Sequence, residues 1–304
     1  MPSGTNLVGL CIAKNEADVI EAMARHNLGF LDHLHVVDND SADTTPDILA
    51  ALQDEFGGRF SWSVDHRAGH GQQAVFNETL PKLGPDTDAA QVVLLDADEF
   101  IRAERDAFRG ALLAAKGPVQ LPWATYVPTG RDDHAEPNPI ARLRYRRRRE
   151  VPQFSKITVP RHLIGQAQVA AGNHSLFSNK RIGGVAIAGL SLAHFPVRSR
   201  EQLLSKVLIG SWNMRLRDKA SQNEASHWRI LADRILTGDT LSSADVQALA
   251  VGYAGNTSVR IILDPLVSPQ AVTLRYTPDN KALLERNLIA FAESCVRQLV
   301  QSQA

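Results

Sequence analysis

The sequence predicts an α/β fold: a doubly wound, mostly parallel sheet flanked by helices, with a helical C-terminal extension. Three observations lead there. Short apolar runs alternate with segments of helical periodicity over about the first hundred residues. The run Val92-Val93-Leu94-Leu95 is apolar on both faces, as a strand covered on both sides must be. It passes directly into Asp96-Ala97-Asp98-Glu99-Phe100, and a second pair of aspartates two apart, Asp38 and Asp40, closes an earlier apolar run. Polar residues at the carboxyl ends of buried strands stand where open α/β sheets hold their ligands.

The elements follow in order. Asn6 to Ala13 reads as the first buried strand and breaks at Lys14-Asn15-Glu16. Ile20, Met23, Ala24 and Leu28 recur at helical spacing. Leu34 to Val37 is a second strand, ended by Asp38-Asn39-Asp40-Ser41-Ala42-Asp43, with Ser41 or Asp43 able to cap a helix starting near Pro46. Phe60 to Val64 alternates as a third strand. Gly69-His70-Gly71-Gln72-Gln73-Ala74 matches a G-x-G-x-x-A pattern, but Asp65-His66-Arg67-Ala68 separates it from the strand, so a loop into a helix over 73–83 is the better reading. In the fourth strand, Asp96 and Asp98 point the same way and can share one hard cation, while Glu99 faces elsewhere. A solvated acidic turn is the simpler alternative. For Asp38 and Asp40 the choice lies between turn capping and accepting hydrogen bonds from a nucleotide's ribose or base edge.

Composition narrows the function classes. The chain has 304 residues, 44% of them hydrophobic, enough for a substantial core. Its 33 basic and 33 acidic residues balance, which argues against a general electrostatic attraction to nucleic acid or anionic membrane. Cys11 and Cys295, its two cysteines, make no disulfide framework and suit a reducing compartment. With no leader pattern and no apolar run long enough to span a bilayer, the expected location is cytoplasmic, with peripheral contact to the inner face of a membrane as a variant. P-loop, H-E-x-x-H and cysteine-histidine zinc patterns are absent.

The second half offers binding candidates. Pro118 to Val127 reads as a strand whose Trp123 and Tyr126 either stack on a sugar or belong to the core. The loop Arg131 to Glu136 carries Asp132, Asp133, His134 and Glu136, four candidate bases. Arg142 to Arg149 holds six arginines in eight residues; as a strand it would align Arg142, Arg144, Arg146 and Arg148, either as an anion-binding side or as a solvated edge. Lys156 either pairs with phosphate or is exposed. His194 ends the apolar run from Ala186 and is followed by Arg198 and Ser199, an arrangement suited to phosphate; His174 has less to commend it. Helices are expected over 201–217, 227–236 and 279–301.

The Lys-Asn-Glu turn, Asp38 to Asp43, Leu95 to Phe100, Gly172-Asn173-His174-Ser175, and Leu192 to Ser199 followed by Lys206 form an ordered set over residues 7–210 that resembles the GT-A glycosyltransferases, specifically the family 2-like bacterial group. The resemblance implies a catalytic domain over 1–210, with a nucleotide-binding half to 115 and an acceptor half from 116, and a helical extension over 211–304. It implies transfer of a sugar, with inversion, from a nucleoside diphosphate donor, UDP-sugar favoured, to a carbohydrate, lipid-linked or other hydroxyl acceptor. Mn²⁺ or Mg²⁺ would be held by Asp98, Asp96 and His194. Donor contacts would come from Ala13, Lys14, Asn15, Glu16, Asp38, Asp40, Asp96 and Ala97, joined by the phosphate candidates Lys156 and Arg198. The usual Glu-Asp pair before a helix is missing, which leaves the base unassigned. Nucleic acid and an obligate protein partner are not expected. The rivals are a nucleotidyltransferase on a similar sheet, which would want a glycine-rich basic loop where Ala13-Lys14-Asn15-Glu16 stands, and a sugar-nucleotide-binding module without turnover.

Overall fold

The computed structural model describes residues 5–66, 71–215, 226–279 and 282–303. The first half runs β1 (Asn6–Ala13), α1 (Ile20–Asn27), β2 (His33–Asp38), α2 (Thr45–Phe56), β3 (Phe60–Val64), α3 (Gln72–Asp86), β4 (Ala89–Asp96), β5 (Glu99–Arg102) and α4 (Arg105–Ala114). Then come β6 (Val119–Thr125), α5 (Pro139–Arg142), β7 (Tyr145–Arg147), β8 (Ser155–Pro160), β9 (Gln168–Val169), β10 (Leu176–Ser178), β11 (Lys180–Ile182), β12 (Val185–Ala186) and β13 (Ser191–His194). The chain continues through α6 (Arg200–Arg215), α7 (Ser226–Leu236), α8 (Ser243–Gly252), β14 (Ile261–Leu263) and α9 (Leu283–Gln303). Among the described residues, nine strands form the main sheet in the order β3-β2-β1-β4-β8-β6-β13-β5, with β12 beside β6. Five of its pairings are parallel and three, those of β8 and β5, antiparallel.

Helices cover both faces, as the apolar runs require. In β1, Leu7 and Cys11 face the core that contains α1, α2 and α4, whereas Val8 and Leu10 face the core that contains α3. A third core gathers α6, α7 and α8 around Val197 and Val207, with Leu284 and Leu288 of α9 packed against it. No helix among the described residues is long and apolar enough to cross a membrane.

β5 ends the sheet, and its outer edge is satisfied by side chains of α1 rather than by a further strand. Asn27 donates to the Glu99 carbonyl at 3.0 Å and accepts from Ile101 N–H at 2.8 Å. The His26 ring lies 2.7 Å from the Ile101 carbonyl, and burial drives its pKa down to about 4, so the imidazole is neutral at physiological pH.

Several expectations change in detail. α3 runs to Asp86 rather than Leu83; Gly69 and His70 of the glycine pattern lie outside the described residues, as do 216, 217, 280 and 281 of the expected helices. The arginine run is not one strand. Asn138 caps the short helix α5 by accepting from Ile140 N–H, and only Tyr145–Arg147 is extended. The chain beyond 211 is not purely helical, because β14 pairs with β7 and residues 264–279 run as a strap over α1 and α2. The strap passes so close that a side chain at Gly29 would collide with Pro269.

Glu21 fastens that strap. Its buried carboxylate accepts from the backbone N–H groups of Arg275, Tyr276 and Thr277 at 2.7–2.9 Å, from the Thr277 hydroxyl, and from Arg25. Burial by itself would raise its pKa, but these donors hold it below the ordinary 4.5. A lowered carboxyl contributes stability above its unfolded value and loses it as pH falls through the folded one. Glu21→Ala should therefore cost about 3 kcal/mol in urea unfolding at pH 7, and the gap to wild type should narrow in acid below that range. Equal midpoints at pH 7 would show that the strap is held elsewhere.

Candidate active site

Strand register builds the site. Ala13 pairs with Asp38 across β1 and β2, and Ile12 pairs with Asp96 across β1 and β4, so the three carboxyl ends stand side by side. The turns after β1 and β2 are laced together. Asn15 N–H donates to Ser41 Oγ at 2.8 Å, its Oδ1 accepts from Ala42 N–H at 2.8 Å, and Lys14 Nζ donates to the Asn39 carbonyl at 2.6 Å. Asn15 and Asp40 both sit at positive φ, 55° and 56°, which Asn and Asp tolerate best after glycine. Asp38 is 1% exposed; one of its oxygens accepts from Ser41 N–H at 3.0 Å, and the other, Oδ1, is buried without a partner. Burial raises the Asp38 pKa. Asp40 is more exposed and meets His66 at 3.2 Å.

Between these tips and β13 lies a cleft of about 440 Å³ lined by Lys14, Glu16, Gln72, Asp96, Ala97, Asp98, Trp123, His194, Lys206 and Tyr253 among others. The two aspartates of the motif have different surroundings. Asp96 accepts from Gln72 Nε2 on one oxygen and from Lys156 Nζ, at 2.7 Å, on the other. Lys156 is buried on β8; desolvation would depress its pKa, but Asp96 and Glu99 raise it instead, and it stays charged. Glu99 points inward, accepting from Asp96 N–H at 2.8 Å and Trp123 Nε1–H at 2.6 Å. Burial lifts its pKa to about 8, against the pull of Lys156.

Asp98 sits beside the end of β13 because Phe195 N–H donates to its carbonyl at 2.9 Å. Its Oδ2 faces Lys206 at 3.5 Å and Arg198 at 3.8 Å, while Oδ1 faces His194 Nε2 at 3.7 Å. Burial opposes ionisation of Asp98, yet the lysine and arginine hold its carboxyl well below the usual range. His194 is stacked on Trp123 with ring centres 4.1 Å apart; burial drives its pKa to about 4, and its Nδ1 is buried without a hydrogen-bond partner. A neutral imidazole is the form that ligates metal.

This donor set bears directly on a divalent cation. Among the described residues no group of three or more His, Cys, Asp or Glu is disposed to hold one. Mg²⁺-type sites that act on phosphates, however, commonly use one or two protein ligands and take the rest from substrate and water. Asp98 Oδ1 and neutral His194 Nε2 fit that pattern, whereas both oxygens of Asp96 are already engaged.

Arg198 ties the site to the rest of the fold. It is 2% exposed, pairs with Asp18 at 2.7 and 2.8 Å and with Glu16 at 2.6 Å, and donates to the Phe195 carbonyl at 3.1 Å. Glu16 shares the cleft wall, and burial raises its pKa to about 7 in spite of Arg198 and Lys206.

The remaining candidates lie elsewhere. Tyr126 is core, stacked on Phe195 at 4.5 Å. Asp132, Asp133, His134 and Glu136 do not line this cleft; Asp132 and His134 border a separate cavity. Asp132 accepts from Thr129, Asp133 from Ala135 N–H and Glu136 from Asn138 N–H, so these carboxylates shape their own loop. His174 packs edge-on to Trp123 and contacts the Ser155 carbonyl. Sequence reasoning missed Asp18, Gln72, Glu99 and Tyr253 as parts of the site. An i to i+2 acidic pair at Glu16 and Asp18 was a signal; nothing in the sequence marked Gln72 or Tyr253.

Removing the Arg198 charge would leave buried Asp18 without its paired cation and Glu16 facing only Lys206. Arg198→Met should cost about 3–5 kcal/mol in chemical unfolding, and Arg198→Lys should recover only part, because an ammonium cannot reproduce the forked contact. Wild-type stability in the methionine variant would contradict the pairing.

No family model matches the chain, and no curated protein matches it. Among solved structures, a mycobacterial protein aligns at 17% identity over 56% of this chain and 59% of its own length, with a TM-score of 0.33. The mannosyltransferase PcManGT from Pyrobaculum calidifontis, in complex with GDP-Man and Mn²⁺, aligns at 14% identity over 94% of this chain and 85% of its own, with a TM-score of 0.38. At these TM-scores and identities neither likeness carries weight for fold or activity.

Proposed function

We propose that the chain is a GT-A-type glycosyltransferase that moves a sugar from a nucleoside diphosphate donor to a hydroxyl acceptor with the help of a divalent cation. The observation that supports this reading best is the conjunction at one end of the sheet of the partnerless buried oxygen of Asp38, after β2, with Asp98, after β4, facing His194 across 3.7 Å. Asp38 suits an imide N–H or a ribose hydroxyl, and the turn at Lys14 to Glu16 closes over the same edge.

Asp98 and His194 would hold Mn²⁺ or Mg²⁺, which supplies Lewis-acid stabilisation of a diphosphate leaving group. Lys206, on the cleft wall, adds a fixed positive charge where leaving-group charge grows, and Lys156 fixes Asp96 in place. Trp123 holds the His194 ring from one face and Tyr253 from its edge. Glu16, with a pKa near 7, is the cleft carboxylate suited to take the acceptor proton.

Calorimetric titration of UDP, GDP and dTDP, with and without Mn²⁺, tests the reading, together with release of sugar from the matching donors. At least one nucleotide should bind more tightly with Mn²⁺, and Asp98→Asn and His194→Ala should each lose that increment and about hundredfold or more of turnover. Nucleotide binding with no turnover in wild type would favour a binding module. Full manganese response in both variants would refute the assignment of those two residues.

A further inference from the structure

The arginine run and the strand it pairs with form a two-stranded ribbon whose outer surface lies apart from the donor cleft. β14 runs antiparallel to β7, with Ile261 opposite Arg147 and Leu263 opposite Tyr145, and the ladder continues where Arg148 N–H donates to the Arg260 carbonyl at 2.9 Å. Arg147 turns inward. It is 2% exposed, pairs with Glu150 at 2.8 Å and donates to the carbonyls of Ala250 and Tyr253 at 2.7 and 2.9 Å. Its neighbours along the strand therefore turn outward: Arg146 meets Asp264 at 2.6 Å, and Arg148 is exposed.

Between Leu143 and Gln153, and again between Tyr253 and Leu263, the chain carries six arginines and one acid, Glu150. Arg147 takes that acid, and Arg144, Arg148, Arg149 and Arg260 are exposed with no ion pair among the described residues. Exposed arginines elsewhere, such as Arg105, Arg234 and Arg286, do meet a carboxylate. Aliphatic tips stand among the four charges. Val259 is 81% exposed, more than any other large hydrophobic among the described residues, and Leu263 and Val151 are 56% and 46% exposed. Val151 lies beside the start of β14, because Thr257 N–H donates to its carbonyl at 3.0 Å and its own N–H donates to Asn256 Oδ1 at 2.8 Å. Charges alone would suit an edge guarded against aggregation, but a guard of that kind gains nothing from bare aliphatic tips.

We propose that this ribbon docks on an anionic bilayer, with Arg144, Arg148, Arg149 and Arg260 among the lipid phosphates and Val259, Leu263 and Val151 entering the interface. Each exposed arginine adds attraction to an anionic leaflet within about a Debye length, and the aliphatic tips add burial, so the two features reinforce each other only at a lipid surface. The neutral charge of the whole chain does not oppose this, because more distant charges are screened. Nucleic acid would engage the arginines and leave the aliphatic tips in water. Through Arg147 the same ribbon holds the segment that carries Tyr253 to the cleft, so the docking surface and that wall of the cleft share one anchor. Docking can be tested without the transfer reaction and stands or falls apart from it.

Sedimentation of the full chain with vesicles of phosphatidylcholine, alone or mixed with phosphatidylglycerol, tests the surface. Wild type should pellet with the mixed vesicles, less so at high salt, and should stay in solution with phosphatidylcholine alone. Arg148→Gln combined with Arg260→Gln should weaken binding about tenfold or more, and Val259→Ser about threefold. All three positions are exposed. Circular dichroism verifies that each variant is folded, and if the paired substitution is not, Val259→Ser decides. Absence of binding to the mixed vesicles, equal binding to both lipids, or binding unchanged in a folded variant overturns the proposal. A single-stranded RNA oligonucleotide is the control ligand: RNA bound by wild type while the mixed vesicles are not would give the patch to nucleic acid and overturn docking on a bilayer.

Discussion

The forked contact of Arg198 with Glu16 and Asp18 is the constraint on which the rest of the site depends. It joins the turn after β1 to the segment between β13 and α6, residues about 180 positions apart in the chain. A buried arginine is tolerable only when its charge is met, and here two carboxylates and a carbonyl meet it. Asp98 lies 3.8 Å from the same guanidinium, so the clamp adds to the field that Lys206, at 3.5 Å, sets at the acidic motif.

Neighbouring acids in the cleft behave differently. Asp98 faces two cations and remains ionised, whereas Glu99, turned toward Trp123 and the sheet interior, is pushed upward. His194 stays neutral although it faces Asp98, because removing an imidazolium from water costs more than one carboxylate at 3.7 Å returns. Asp96, held by Gln72 and Lys156, is a positioned hydrogen-bond acceptor rather than an open ligand. A single D-x-D sequence thus yields two chemically distinct carboxylates.

The legible part of the molecule was the part governed by local pattern. β1, β2, β3 and β4 were readable because apolar runs must be covered on both faces and end where polar residues begin, and that reading placed Asp38, Asp96 and Asp98 at one sheet edge. Glu16 entered through the family resemblance, as part of the Lys-Asn-Glu turn, whereas His194 was marked by its place at the end of an apolar run. The arginine run misled because alternation favours a strand, whereas the cap at Asn138 and the proline after it start a helix that buries Arg142. Asp18 with Arg198, and Glu21 with the strap, were invisible because tertiary packing alone brings such distant residues together. Gln72 was read as loop and sits in the first turn of α3, from which it reaches Asp96.

Electron paramagnetic resonance of Mn²⁺ added with a nucleoside diphosphate most directly tests whether Asp98 and His194 hold a donor-bound cation. The account predicts a protein-bound manganese signal with nitrogen modulation from one imidazole, present in the full chain and absent in His194→Ala. A spectrum indistinguishable from Mn²⁺ and nucleotide free in solution, or nitrogen modulation that survives in that variant, would contradict it.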